Sequence, residues 1–182
     1  MSVNAQVLAI AGCWIGTPYR HQGAVKGVGC DCLGLVRGIW RELYGREPEA
    51  VPAYASDWAE RAGEERLLAA ADRHFRIVPS REESLPGDLV LFRFRPHLAA
   101  KHAGILSLLP GEDVAHGQAE DPAPGDAQAR SRPGFDRPTP DAFIHAPNAF
   151  IHAYEQSAVT LSALVPGWRR KIAGIYRFPE RI

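Results

Sequence analysis

The chain has 182 residues, 46% of them apolar and 23% charged, which fits one globular domain with a single core. Lys and Arg total 21 and so do Asp and Glu, so no excess of positive charge marks nucleic acid or an anionic membrane as the main partner. No run approaches the ~18 apolar residues of a membrane span. The apolar patch Val7–Ala11 also lacks the basic flank and small-residue cleavage site of a secretory signal, so cytoplasmic synthesis without an export signal is expected.

In chain order, Asn4–Ile15 reads as a helix with Val7, Leu8, Ala11 and Trp14 at helical spacing, ended by Gly16-Thr17-Pro18. A turn-rich, glycine-rich stretch runs from Tyr19 to Gly29. The strongest helical pattern follows, Asp31–Tyr44, where Leu35, Val36, Ile39, Trp40 and Leu43 form one apolar stripe and Gly45 supplies the stop. Ala55–His74 is also predicted helical. Beyond Pro86-Gly87 the period shortens, and strands are predicted at Asp88–Phe94, His102–Leu109, Ala149–Tyr154, Ala158–Leu164 and Ile172–Phe178. Helices first and strands afterwards specify an α+β domain, with N-terminal helices packed on an antiparallel β-sheet. Residues 1–182 are read as that single domain, carrying a Pro-, Gly- and Asp-rich inserted loop at 111–148 that is expected to be flexible. On that reading, deleting Glu112–Pro140 leaves folding and activity nearly unchanged.

The three cysteines are Cys13, Cys30 and Cys32, an odd number that argues against a disulfide framework. Cys32 stands at the start of the strong helix, where the helix dipole favours thiolate and unpaired N–H groups offer oxyanion donors. Cys13, inside an apolar helix, reads as a small core residue. Cys30 and Cys32 with His21 are a weak metal alternative, because C-x-C lacks the second ligand pair of structural zinc sites; neither a metal nor a cofactor is predicted. The candidate bases are His21, His74, His97, His102, His116, His145 and His152. His102 opens one predicted strand, and His152 lies in another, placed to orient it as the third member of a triad does.

Five ordered segments carry a family resemblance: WIGTPYRHQG (Trp14–Gly23), GCDCLGLV (Gly29–Val36), LPGDLVLF (Leu85–Phe92), KHAGIL (Lys101–Leu106) and FIHAY (Phe150–Tyr154). In order and spacing they resemble the NlpC/P60 family, papain-like cysteine peptidases of bacterial cell walls. The DCLGLV form and the ending WRRKIAGIYRFP (Trp168–Pro179) resemble its phage and gene-transfer-agent branch. The resemblance implies Cys32 as nucleophile, His102 as base and His152 as the residue that orients it. It also implies that Tyr19 lies close to the nucleophile and that Asp31 serves recognition of the substrate. Bacterial peptidoglycan and phage-like tail or baseplate proteins are the partners implied, within a phage-like particle.

Two departures stand out. Leu33 follows the nucleophile where the family often has serine. AFIHA also occurs twice, at Ala142–Ala146 and Ala149–Ala153, so His145 competes with His152; Pro147 after His145 breaks the strand pattern and favours His152. Asp88, in the PGD turn, reads as a turn or strand-start residue. A non-catalytic tail component and an acyltransferase on the same fold are the rival functions.

Overall fold

The structure is a computed structural model and describes residues 1–55, 64–110 and 146–180. It contains α1 (Val3–Trp14), the short strands β1 (Ala24–Val25) and β2 (Gly29–Cys30), and α2 (Cys32–Tyr44). Next come α3 (Arg66–His74), β3 (Arg76–Ile77), β4 (Leu89–Phe92) and β5 (His102–Ser107). Finally β6 (Ala149–Ala153) and β7 (Val159–Ala163) lead through a one-turn helix, α4 (Pro166–Arg169), to β8 (Ile172–Arg177). The predicted elements are present with ends trimmed by a residue or two, except at Ala55–His74. There the described helix covers only Arg66–His74, and residues 56–63 lie outside the described residues. Most of the predicted loop, 111–145 with His116 and His145, lies outside them as well.

Both long helices start on a side-chain cap: Ser2 accepts from the Ala5 N–H at 3.3 Å, and Asp31 from the Gly34 N–H at 2.8 Å. Gly45 ends α2 with φ of 83°, a conformation that favours glycine. The stripe of α2 is buried at Leu35, Val36, Ile39 and Trp40. It meets α1 closely, since a Cβ on Gly38 would fall 2.1 Å from the Trp14 ring. One expectation fails here. Cys13 is exposed, because the buried stripe of α1 is Val3, Asn4, Val7, Ala11 and Trp14, and Cys13 falls on the opposite side of the helix.

The main sheet has the order β3-β8-β4-β5-β6-β7 with every pair antiparallel. Its central strands are apolar without alternation because both faces are covered. Leu89, Leu91, Ala103, Ile105 and Ile151 pack toward the helices, while Val90, Phe92, Leu106 and Phe150 form a second core closed by Trp168 and Ile172.

Asp88 ties the layers together. Fully buried, it receives Arg177 Nε and Nη2 at 2.8 Å each, Asn4 Nδ2 at 2.7 Å and the Leu85 N–H at 2.8 Å. One carboxylate thus joins α1, β8 and the turn before β4, as a strand-start anchor. The preceding Gly87 has φ of +94°, and a Cβ there would lie 2.3 Å from the Asn4 carbonyl oxygen, so the PGD turn requires glycine.

Candidate active site

The Cys32 end of the site is built locally. Cys32 is the first residue of α2, partly exposed, with its Sγ 3.7 Å from the Lys101 carbonyl oxygen just before β5. Burial, followed by the Asp31 carboxylate, pushes its thiol up to about 12, against the pull of nearby backbone N–H groups of Ala103, Leu33 and Cys32. Asp31 is buried and its oxygens are taken by the protein itself. Besides capping Gly34, it accepts from the Gln22 N–H at 2.7 Å and from the Tyr54 hydroxyl at 2.6 Å, with His21 Nδ1 3.7 Å away. Tyr54 was not visible as a site residue in the sequence, since no motif marks it.

The His102 end is built from strand register. Phe92 of β4 faces His102 of β5, Leu106 faces Phe150 of β6, and Phe150 faces Ser162 of β7. These residues share one face of the sheet by the two-residue period of a strand. Diagonal neighbours on that face then meet. His102 Nε2 is 2.8 Å from His152 Nδ1, and His152 Nε2 is 2.9 Å from Ser162 Oγ. The chain of contacts runs His102–His152–Ser162 across three strands.

Gly104 makes room for this chain: a Cβ there would lie 2.9 Å from Phe150 Cδ2 and 3.3 Å from His152 Cβ. Aromatic rings enclose it. Phe150 lies 4.4 Å from the His152 ring, and Trp168 lies 5.8 Å from His102 and 5.7 Å from His152, centroid to centroid. In that setting burial, then the neighbouring His152 and Lys101, pushes His102 down to about 3, and burial pushes His152 down to about 4. Both rings are neutral at pH 7.

All five residues singled out in the sequence, Tyr19, Asp31, Cys32, His102 and His152, line one cavity of about 520 Å³. Tyr19 is held by its backbone, its N–H bonded to the Ser157 carbonyl at 2.8 Å, and burial pushes its hydroxyl up to about 12. Ser162 is a second residue that sequence reading missed, because nothing before the register is known pairs it with His152. Among the described residues, no group of three or more His, Cys, Asp or Glu side chains is arranged to hold a metal, and no helix is long and apolar enough to cross a membrane.

The NlpC/P60 family model matches residues 16–177. Among solved structures, NlpC1 from Trichomonas vaginalis is similar with a TM-score of 0.54 at 14% identity, covering 97% of this chain and 44% of that one. An NlpC/P60 family protein from Bacillus cereus has a TM-score of 0.52 at 17% identity, covering 96% and 40%. A Staphylococcus aureus protein described as similar to a lipoprotein of the NLP/P60 family has a TM-score of 0.50 at 17% identity, covering 97% and 41%. The chain spans less than half the length of these three proteins, and at such identities the likeness shows the fold alone. No curated protein matches the chain.

Proposed function

The chain belongs to the NlpC/P60 family, and from that premise we propose that it is a cysteine peptidase hydrolysing peptide bonds in the stem peptides of bacterial peptidoglycan. The observation that carries this reading is the convergence of Cys32, at a helix N-terminus, and the hydrogen-bonded pair His102–His152 on one cavity.

His102 Nε2 is engaged by His152, which leaves Nδ1 to receive the Cys32 proton. In the resting state thiol and imidazole are both neutral, so the proton moves from Sγ to Nδ1 as sulfur attacks the scissile carbonyl. Backbone N–H groups at the start of α2, that of Cys32 among them, stabilise the oxyanion. The C–N bond then breaks and the leaving amine takes the proton from His102. Water, deprotonated by His102, hydrolyses the thioester and restores the thiol. An imidazolium at His102 must donate from Nε2, so His152 accepts at Nδ1 and donates its Nε2–H to Ser162 Oγ.

The family resemblance favours the bond between D-glutamate and a diamino acid. The DCLGLV and WRRKIAGIYRFP segments support a place in a phage-like tail or gene transfer agent, with tail or baseplate proteins as partners. One experiment tests activity and bond together: digestion of purified peptidoglycan by wild-type protein and by Cys32→Ala, with mass spectrometry of the fragments. New amino termini on diamino-acid peptides, absent with the variant, are expected. No cleavage by folded, reduced wild-type protein would sink the peptidase reading in favour of a structural component. For the particle, the expected result is that Cys32→Ala assembles normally and loses wall entry; failed assembly would count for the scaffold.

A further inference from the structure

On the His102 side, the cavity around Cys32 runs into a second concavity of about 540 Å³, and the two share Phe94 and Lys171. Among the described residues no carboxylate lines the second one, which includes Arg93, Arg170 and Lys171. Arg93 is compensated by Glu65 at 2.5 Å, whereas neither Arg170 nor Lys171 has a carboxylate partner among the described residues. Lys171 is held in place by stacking, its Nζ 5.2 Å from the ring centroids of both Phe94 and Trp168. At the other end the Cys32 cavity carries Asp31 and Glu155, beside Tyr19 and Tyr54. The formal charge therefore changes sign from one end of the groove to the other.

The reaction gives this polarity a direction. His102 protonates the leaving amine, so the peptide beyond the scissile bond departs over His102. The rings nearest on that side are Trp168, at 5.8 Å, and Phe94, at 5.9 Å. The first residue of the leaving peptide thus lies along the Phe94–Trp168 wall, within reach of the ammonium that the wall carries. We infer that this basic concavity is a leaving-side subsite, which takes a peptide whose first residue after the cut bears a free carboxylate. Lys171 supplies the fixed charge and Arg170 the second, exposed one. The inference rests on the peptidase reading and adds the chemistry of the leaving group to it.

The test uses two synthetic stem peptides, identical except that the residue after the scissile bond carries either the carboxylate or the carboxamide. Wild-type protein should favour the acid by about tenfold in kcat/KM. The ratio should shrink as NaCl is raised from about 50 to about 500 mM. Lys171→Met with Arg170→Gln should bring the ratio close to one, while Lys171→Arg keeps it. Equal kcat/KM for both peptides with wild-type protein would overturn the subsite and leave the peptidase intact. If neither peptide is cut, the peptidase reading fails, and binding to Cys32→Ala followed by tryptophan fluorescence decides the subsite. Tighter binding of the acid supports it, and equal binding overturns it.

Discussion

Apart from its sulfur's contact with the Lys101 carbonyl, Cys32 is positioned by its neighbours in sequence, whereas the His102 ring is held by a residue 50 positions away. The nucleophile end consists of one helix start, one cap and a loop: Asp31, Gly34 and Gln22 all lie within a dozen residues of the sulfur. The base end exists only when β5, β6 and β7 are paired in the correct register, since a slip of one residue would send His152 to the other face. Cys32 and His102 are both partly exposed, and the buried member is His152, 1% exposed beneath Trp168 and Phe150. A local site tolerates distant change and fails to small local change; a register-built site behaves the other way.

The sharpest way to break the local end is Gly34→Ala. The new Cβ would stand 1.7 Å from the Gly23 carbonyl oxygen, backbone against backbone, so neither side yields cheaply. A loss of about 3 kcal/mol is expected, a fall in Tm on the order of 10 °C by calorimetry. An unchanged Tm would show that the loop is softer than its contacts imply. At the base end, His152→Ala leaves His102 Nε2 without its partner. A drop in kcat of a hundredfold or more is expected, with KM nearly unchanged.

The same histidine makes the base end acid-sensitive. The unfolded chain binds a proton on this ring below about pH 6.5, but the folded chain only near pH 4. Stability is therefore full above pH 6.5 and is lost as the pH falls toward 4. Between pH 7.5 and 5 this ring, 1% exposed, should account for a drop of about 2 kcal/mol in urea unfolding, and His102, pushed down to about 3, adds to the loss over the same window. His152→Ala should make the slope shallower, and an equal slope in the variant would refute the assignment.

Ser162→Ala tests the far end of the hydrogen-bonded chain. A fall in kcat of about tenfold with KM unchanged is expected, together with an altered pH profile and recovery in Ser162→Thr. A purely structural role would lower stability and leave the pH profile alone. The smallest effect is expected at Asp31→Asn. Asparagine still caps α2 through its one carbonyl oxygen but cannot also accept from the Gln22 N–H, so a loss of about 1 to 2 kcal/mol is expected. Removal of the charge should lower the Cys32 thiol pKa, read as faster alkylation by iodoacetamide at fixed pH.

The same division explains how much the sequence disclosed. Cys32 was legible because helix periodicity and the glycine-rich turn before it are local signals, and α2 begins within one residue of its expected start. His102 and His152 were legible as strand residues, but only the family resemblance joined them; spacing alone left seven histidines open. Ser162 was not, because pairing register is a long-range property that alternation within one strand does not encode. Tyr54 was hidden for a similar reason, its hydroxyl reaching Asp31 from across a loop. Cys13 misled because the helix was read as apolar all round, whereas burial follows a narrower stripe. The two-residue β3 and one-turn α4 are too short for periodicity to register, although Pro166 at the helix start is a marker of the latter.

The strand order has a consequence for synthesis. β8 is the last of the described strands in sequence, yet it lies between β3 and β4 inside the sheet. Folding therefore waits on long-range closure, and the edge of β4 stays unpaired until residues 172–177 have left the ribosome. A nascent chain that has completed α2 holds Cys32 without His102, and one that has completed β5 holds His102 without His152 and Ser162, so the cavity that gathers these side chains closes only after β7 has been made.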